Sequence, residues 1–311
     1  MKYDVMCVGV ALVDNIIRGF DPAPVSASGY MAASASLSAG GEAVNSSIAA
    51  ARLGLRTGIL CALGDDAAGE LVRSALQKHG VDARRAVRSE HTPVTTMFVR
   101  EDGSRRSIVT PAHRINFHPE REPSLFTDAR TLLLGSLFRT PFDDPAIIRA
   151  VVTSAKAAGQ LVIADTKIPN GRPLGLGDIA DALPLIDYIT PNEDEARFLT
   201  GLEEPEAMAD AFLGIGAQCV IIKLGGQGCL LKNARETVRL PAFRVKAVDS
   251  TGAGDNFAAG FAAELLRGAA VRDALRFANA CGAICVTAVG AGTALTGRDQ
   301  VEDFLPSHPL S

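Results

Sequence analysis

From about Asp128 onward, short apolar runs alternate with helical stretches. Thr131 to Leu134, Leu161 to Ala164, Asp187 to Thr190 and Gln218 to Lys223 read as strands. Pro145 to Ala158 reads as a helix with Ile147, Ile148, Val151 and Val152 on its inward face. Strands that are apolar along nearly their whole length, separated by helices, belong to a mainly parallel sheet covered on both faces. The pattern predicts an α/β fold, a three-layer α/β/α sandwich. In such sheets ligand contacts gather beyond the carboxyl ends of the strands. Polar residues recur there: Asp14 after a first strand from Asp4 to Val13, then Asp165, Asn192, Glu195 and Lys223.

Two stretches do not fit the alternation. Asn15 to Leu37 lacks helical periodicity and is rich in Ser, Ala, Pro and Gly. Pro93 to Thr110 alternates and turns at Asp102-Gly103, which predicts a β-hairpin. Together these excursions, about 15–37 and 92–111, predict a small β-sheet lid on one domain spanning 1–311. The partly apolar surface of such a lid suggests a homodimer formed through it.

Composition excludes several function classes. Aromatic residues are 5% and Trp is absent, so stacking platforms for single-stranded nucleic acid are not expected. Net charge is −4 with no basic tract, which disfavours nucleic acid and anionic membranes as partners. MKYDVMCVGVALVD reads as a strand and not as a signal peptide, and no apolar run reaches the ~18 residues of a membrane span. The six cysteines are scattered through apolar runs, as expected of buried reduced thiols in a cytoplasmic protein, and the five histidines lack metal-ligand spacing.

Two glycine-rich turns carry the chemistry. Ser38-Ala39-Gly40-Gly41-Glu42-Ala43-Val44-Asn45 opens a helix from Ala43 to Leu53. Its Gly pair is either a plain loop or a place where backbone approaches a ligand closely, with Asn45 nearby. Ala247 to Phe261 reads AVDSTGAGDNFAAGF, a Gly-rich turn feeding a helix N-terminus. Unpaired amide N–H groups and the positive end of the helix dipole make that turn a pocket for negative charge. Asp255 within it is either a helix cap or a base for a hydroxyl attacking phosphate. Asp65 and Asp66 are better read as caps of the next helix than as cation ligands. Lys167 is either a solvated loop residue or a contact to phosphate or to a substrate acid group. No Gly-x-x-x-x-Gly-Lys-Ser/Thr occurs, and only Gly9 stands where a dinucleotide fold needs Gly-x-Gly-x-x-Gly, so a nicotinamide-linked oxidoreductase is disfavoured.

Asp249-Ser250-Thr251-Gly252-Ala253-Gly254-Asp255 resembles the C-terminal signature of the ribokinase-like, PfkB-type carbohydrate kinases. Gly40-Gly41 with Asn45, Leu63-Gly64-Asp65-Asp66, Pro191-Asn192-Glu193-Asp194-Glu195 and Lys223-Leu224-Gly225-Gly226-Gln227-Gly228 resemble the family's other motifs, in order, over essentially the whole chain. The resemblance implies transfer of the ATP γ-phosphoryl group to a hydroxyl of a sugar or sugar-like molecule. Asp255 would be the general base, with the amides of Gly252, Ala253 and Gly254 as anion hole. Asp14, Gly40, Gly41, Asn45 and Asp165 would lie on the substrate side. Asn192, Lys223, Gly225, Gly228 and Asn279 would serve the nucleotide. Glu195 would act on Mg²⁺ through water, and Asp249 and Thr251 would contribute to a K⁺ site. The alternatives are a non-catalytic sugar or nucleotide sensor on the same fold, or a nucleoside kinase.

Overall fold

A computed structural model describes residues 2–19, 31–100, 105–109, 117–122 and 128–308. The Asp102-Gly103 turn, the middle of the first excursion and the side chain of Arg105 lie outside the described residues.

In chain order the strands are β1 (Tyr3–Val8), β2 (Leu12–Arg18), β3 (Ser34–Gly40), β4 (Thr57–Leu60), β5 (Ala62–Gly64), β6 (Val87–Ser89) and β7 (Val94–Val99). They continue as β8 (Arg105–Val109), β9 (Ala129–Leu137), β10 (Leu161–Thr166), β11 (Tyr188–Ile189), β12 (Cys219–Lys223), β13 (Cys229–Asn233) and β14 (Thr237–Leu240). The helices are α1 (Glu42–Arg52), α2 (Ala67–Lys78), α3 (Pro145–Ala157), α4 (Glu193–Thr200), α5 (Pro205–Gly214), α6 (Ala253–Leu266), α7 (Val271–Cys285) and α8 (Arg298–Ser307).

The large sheet runs β14-β13-β12-β11-β10-β9-β1-β4. Its six strands from β12 to β4 pair in parallel, and the β12–β13 and β13–β14 pairs at one edge are antiparallel. Side-chain alternation divides each central strand between two cores. Met6, Val8, Leu132 and Leu134 join the core beneath α3 and α5, with Ile148, Val152 and Phe212. Val5, Cys7 and Leu133 join the other, beneath α6 and α7, with Phe261, Leu275 and Ile284. All these side chains are 3% exposed or less, and each fully buried one contributes ~1.5–3 kcal/mol. All six cysteines are buried and none is in a disulfide.

The helix boundaries follow local signals. Asp66 caps α2 by accepting from the Gly69 N–H at 2.8 Å, the expected role, while Asp65 pairs with Arg73 and Arg88. Asp144 caps α3 in the same way, ahead of Pro145 at its first position. Asn192 and Glu195 form a reciprocal capping box at α4, and Gly201 in the left-handed region stops that helix.

A separate four-stranded sheet runs β3-β2-β7-β8. It corrects one boundary. The first strand does not run on to Val13. It ends at Val8, Gly9 takes φ +154°, and the chain crosses into the small sheet at Leu12. Asp14 therefore sits within β2, opposite Ser38 on β3 and Thr95 on β7, and not at the tip of a central strand.

Candidate active site

The site is built around the start of α6. Gly252 precedes the helix at φ +76°, and a Cβ there would lie 2.1 Å from that of Ala291. Only glycine serves at this turn. Having no side chain, Gly252 adds no side-chain cap to the first turn, where the Ala253 N–H donates to the Ser250 carbonyl at 3.3 Å. Asp255 is the third residue of the helix, which begins at Ala253. Its carboxylate faces across the cleft, where Oδ2 accepts from Asn45 Nδ2 at 2.8 Å. Asn256 braces the turn, donating to the carbonyls of Gly252 (2.8 Å) and Ala291 (3.0 Å). Sequence reasoning did not single out Asn256, although it directly follows the signature Asp255.

A cavity of about 420 Å³ opens over this turn. Leu12, Asp14, Gly41, Glu42, Asn45 and Met97 line one side, and Asn192, Lys223 and Gly225 line the other. Asp165 and Lys167 lie between them, and Ser250 to Asp255 form the floor. The fold thus brings together residues from 14 to 255 that the sequence analysis placed in three separate roles. Gly40 stands just outside the lining but is needed for it, because a Cβ there would meet Asp14 Oδ2 at 2.0 Å. Gly41 has φ +94° and lies against the Val10 carbonyl. Gly228, at φ +95°, packs against the Leu240 carbonyl in the antiparallel edge. Asn279 is also outside the lining, on α7, donating to the Pro241 carbonyl at 3.4 Å.

Four carboxylates and two ammonium groups share the middle of the cleft. Lys223 Nζ donates to Asp165 Oδ1 at 2.6 Å, and the Thr190 hydroxyl donates to the same oxygen. Gly254 makes room for that pair, since a Cβ there would come within 2.9 Å of Lys223 Nζ. Lys167 Nζ lies 3.8 Å from both Glu42 Oε1 and Glu195 Oε1, looser contacts than hydrogen bonds. Burial alone would depress the Lys167 ammonium, but Glu42, Asp165, Asp255 and Glu195 together outweigh it and raise its pKa. Glu195 is 3% exposed, and its Oε2 accepts from the Asn192 N–H and the Thr166 hydroxyl, both at 2.9 Å. Burial, with Asp165 nearby, raises its carboxyl pKa against the pull of Lys223 and Lys167. Burial also pushes Asp255 up, to about 7. Glu42 and Asp165 add to the rise, while Lys167 and the Asn45 hydrogen bond restrain it. A carboxylate that titrates near neutrality, beside amides with no capping side chain and a cation, is suited to take a proton from a hydroxyl while phosphate charge is held next to it.

Sequence reasoning left Lys167 undecided and passed over Glu42. Both enter the cluster through long-range packing, and neither belongs to a local motif. Asp249 and Thr251 lie at the margin. Asp249 Oδ1 accepts from the Thr251 N–H and hydroxyl, and Oδ2 accepts from the Gly290 N–H, so bonds within the chain shape this loop. Among the described residues no group of three or more His, Cys, Asp or Glu is arranged to hold a metal ion. No described helix is long and apolar enough to cross a membrane.

Known proteins resemble this chain in sequence and in fold. Residues 3–297 match the pfkB family carbohydrate kinases. Aminoimidazole riboside kinase from Salmonella typhimurium is 33% identical over 289 residues, covering 88% of this chain and 89% of its own. Arabidopsis thaliana ribokinase, complexed with ribose and ATP, superposes with a TM-score of 0.82 at 27% identity over 98% of this chain and 99% of its own. A putative ribokinase II from E. coli in complex with ATP and Mg²⁺ gives a TM-score of 0.80, also at 27% identity, over 98% and 99%. A family match across nearly the whole chain, joined to a glycine turn and carboxylate set in the order the signature requires, makes this protein a member of the pfkB family of carbohydrate kinases.

Proposed function

We propose that this protein transfers the γ-phosphoryl group of ATP to a hydroxyl of a sugar-like acceptor, with Asp255 as general base. The observation that carries this reading is the placement of a buried carboxylate in the first turn of α6, beside amides with no capping side chain. A neutral sugar hydroxyl is a poor nucleophile, and a placed base typically supplies ~10²–10⁴-fold. The rest comes from alignment and charge neutralisation.

The residues present fit ATP and Mg²⁺. The Gly254 position, whose missing Cβ leaves space beside Lys223, suits a phosphate at the helix N-terminus. When bound, Mg²⁺ neutralises phosphate charge, and because it keeps much of its water it suits indirect contact with Glu195. The chain's own groups do the rest. Asp14 and Asn45 orient the acceptor hydroxyls, and Asn45 also steers the Asp255 carboxylate. Asp255 Oδ takes the hydroxyl proton as the oxygen attacks phosphorus. The amides of Gly252 and Gly254, with Lys167, serve the phosphoryl oxygens, and the Ala253 amide joins them on giving up its long 3.3 Å bond to the Ser250 carbonyl. Lys223, Asn192 and Gly225 flank the nucleotide side. The β3-β2-β7-β8 sheet serves as the lid, and its outer face carries Leu37 and Ile108, 62% and 64% exposed in one cross-strand row, which supports pairing of two copies there.

Release of ADP from ATP and Mg²⁺, measured across a panel of sugars, sugar acids, sugar phosphates and nucleosides, tests the reading. Turnover of at least one acceptor is expected. Binding by calorimetry without any turnover would replace the kinase with a sensor.

A further inference from the structure

Between α7 and α8, residues 286–297 form neither strand nor helix, yet they are locked to the turn that opens α6. Ala291 lies against Gly252, and its carbonyl accepts from Asn256 Nδ2 at 3.0 Å. The Gly290 N–H donates to Asp249 Oδ2 at 3.0 Å. Cys285 Sγ lies 3.4 Å from the Thr251 carbonyl and 3.6 Å from that of Ala291. The turn therefore stands where this loop stands. Arg52, the last residue of α1, holds the loop from the other side. Its Nη1 donates to the Gly292 carbonyl at 2.5 Å and to the Leu295 carbonyl at 2.6 Å, 240 and 243 residues further along the chain. Its Nη2 lies 3.2 Å from His79 Nε2, and because a guanidinium only donates, that ring nitrogen accepts.

A cation in the last turn of a helix ordinarily serves that helix's own carbonyls and dipole. Arg52 gives both Nη1 hydrogens to the loop instead. Burial lowers its pKa, and no carboxylate among the described residues offsets that cost. The same helix meets the site at its other end, where Asn45 donates to Asp255. About seven residues of helix, ~10 Å, separate the two contacts. From this arrangement we infer that Arg52 is a positioning residue for phosphoryl transfer: by gathering the Gly292 and Leu295 carbonyls it fixes the loop against Gly252, and so fixes where the amides of that turn stand. The inference rests on the kinase reading above, which gives those amides the phosphoryl charge, and adds to it a residue remote from the reacting atoms. A displacement of ~1 Å at such a site can cost ~10²-fold in rate.

The test compares Arg52→Ala, Arg52→Lys and Ile48→Ala with the parent, using ATP, Mg²⁺ and the best acceptor of the ADP-release panel. Ile48→Ala is the control for general loss of stability, since Ile48 packs in the core that α1 shares with α2 and not in the one that holds Leu295. Below every unfolding transition, Arg52→Ala should lose ~10-fold or more in kcat with both KM values within ~2-fold, because the turn acts on charge that develops during transfer. Arg52→Lys, whose ammonium stops about one bond short of Nη1, should recover part of the loss. Ile48→Ala should lower Tm and keep kcat. Amide hydrogen exchange in Arg52→Ala should quicken at 290–296 and at 250–256, beyond any change in Ile48→Ala. A kcat within ~2-fold of the parent, a rise in KM that accounts for the whole loss, or exchange that quickens in the loop and not in the turn overturns the inference and leaves the kinase reading standing. If the parent turns over no acceptor, the kinase reading falls and exchange decides: quickening in both segments upholds Arg52 as the residue that holds the turn, and an unchanged turn removes it.

Discussion

Replacing Asp255 by Asn should make the protein more stable and nearly inactive at once. Burial is the chief cause that lifts the Asp255 carboxyl from the unperturbed 3.8 to about 7. At 1.36 kcal/mol per pH unit, holding the ionised form inside the folded protein costs ~4 kcal/mol above pH 7. The sign follows from linkage. The folded state keeps this proton more tightly than the unfolded chain does, so the carboxyl's contribution to stability is greatest below pH 3.8. It declines between 3.8 and about 7 and is flat beyond. Asn is isosteric, carries no charge and still offers an oxygen to Asn45 Nδ2. The variant should therefore gain most of that ~4 kcal/mol at pH 8 and little at pH 4. For 311 residues, an unfolding entropy near 2.1 cal/mol/K per residue gives about 0.65 kcal/mol/K, so the gain corresponds to ~6 °C in Tm. Differential scanning calorimetry at pH 8 and pH 5 measures the gain, and ADP release measures kcat, expected to fall by at least ~10²-fold with substrate binding retained. An unchanged Tm at pH 8 would refute the account of the buried charge. A near-normal kcat would refute the general base.

Three further outcomes follow from the same cluster. Lys167→Ala removes the strongest restraint on the Asp255 pKa, so the acid limb of kcat/KM, near pH 7 in the parent, should move to higher pH with a lower plateau; an unmoved limb separates Lys167 from the base. Lys223→Met leaves Asp165, 4% exposed, without its ammonium partner, and should cost ~3–5 kcal/mol in urea unfolding, most of it recovered by adding Asp165→Asn. Gly252→Ala forces a side chain into φ +76° and against Ala291, so at least ~1–2 kcal/mol of stability and most of kcat should be lost together.

What could be read beforehand was whatever the chain writes locally. The Asp249–Asp255 turn needs glycine at 252 for its positive φ, and the Asn192–Glu195 box is a three-residue spacing. The parallel sheet was legible because its strands are apolar on both faces. Asp14 was misplaced because a glycine ends β1 while the apolar run continues, so hydropathy alone could not separate two strands belonging to different sheets. Asp255 could not be assigned from its own neighbourhood either. Its hydrogen-bond partner, Asn45, is 210 residues away, and the carboxylates that set its pKa come from α1 and β10. Asn279 followed from resemblance alone and lies on α7 away from the cavity wall.

That 210-residue span also has a consequence for synthesis. α1 packs against α6, and Ala49 and Ala50 of α1 belong to the same core as Phe257 and Phe261 of α6. A ribosome adding ~5–20 residues per second takes ~10–40 s to travel from Asn45 to Asp255. Throughout that interval the residues of α1 that pack on α6 in the finished fold have no α6 to pack on. One helix, α6, therefore brings both apolar cover for α1 and the carboxylate that Asn45 holds, and neither exists until the chain has passed residue 255.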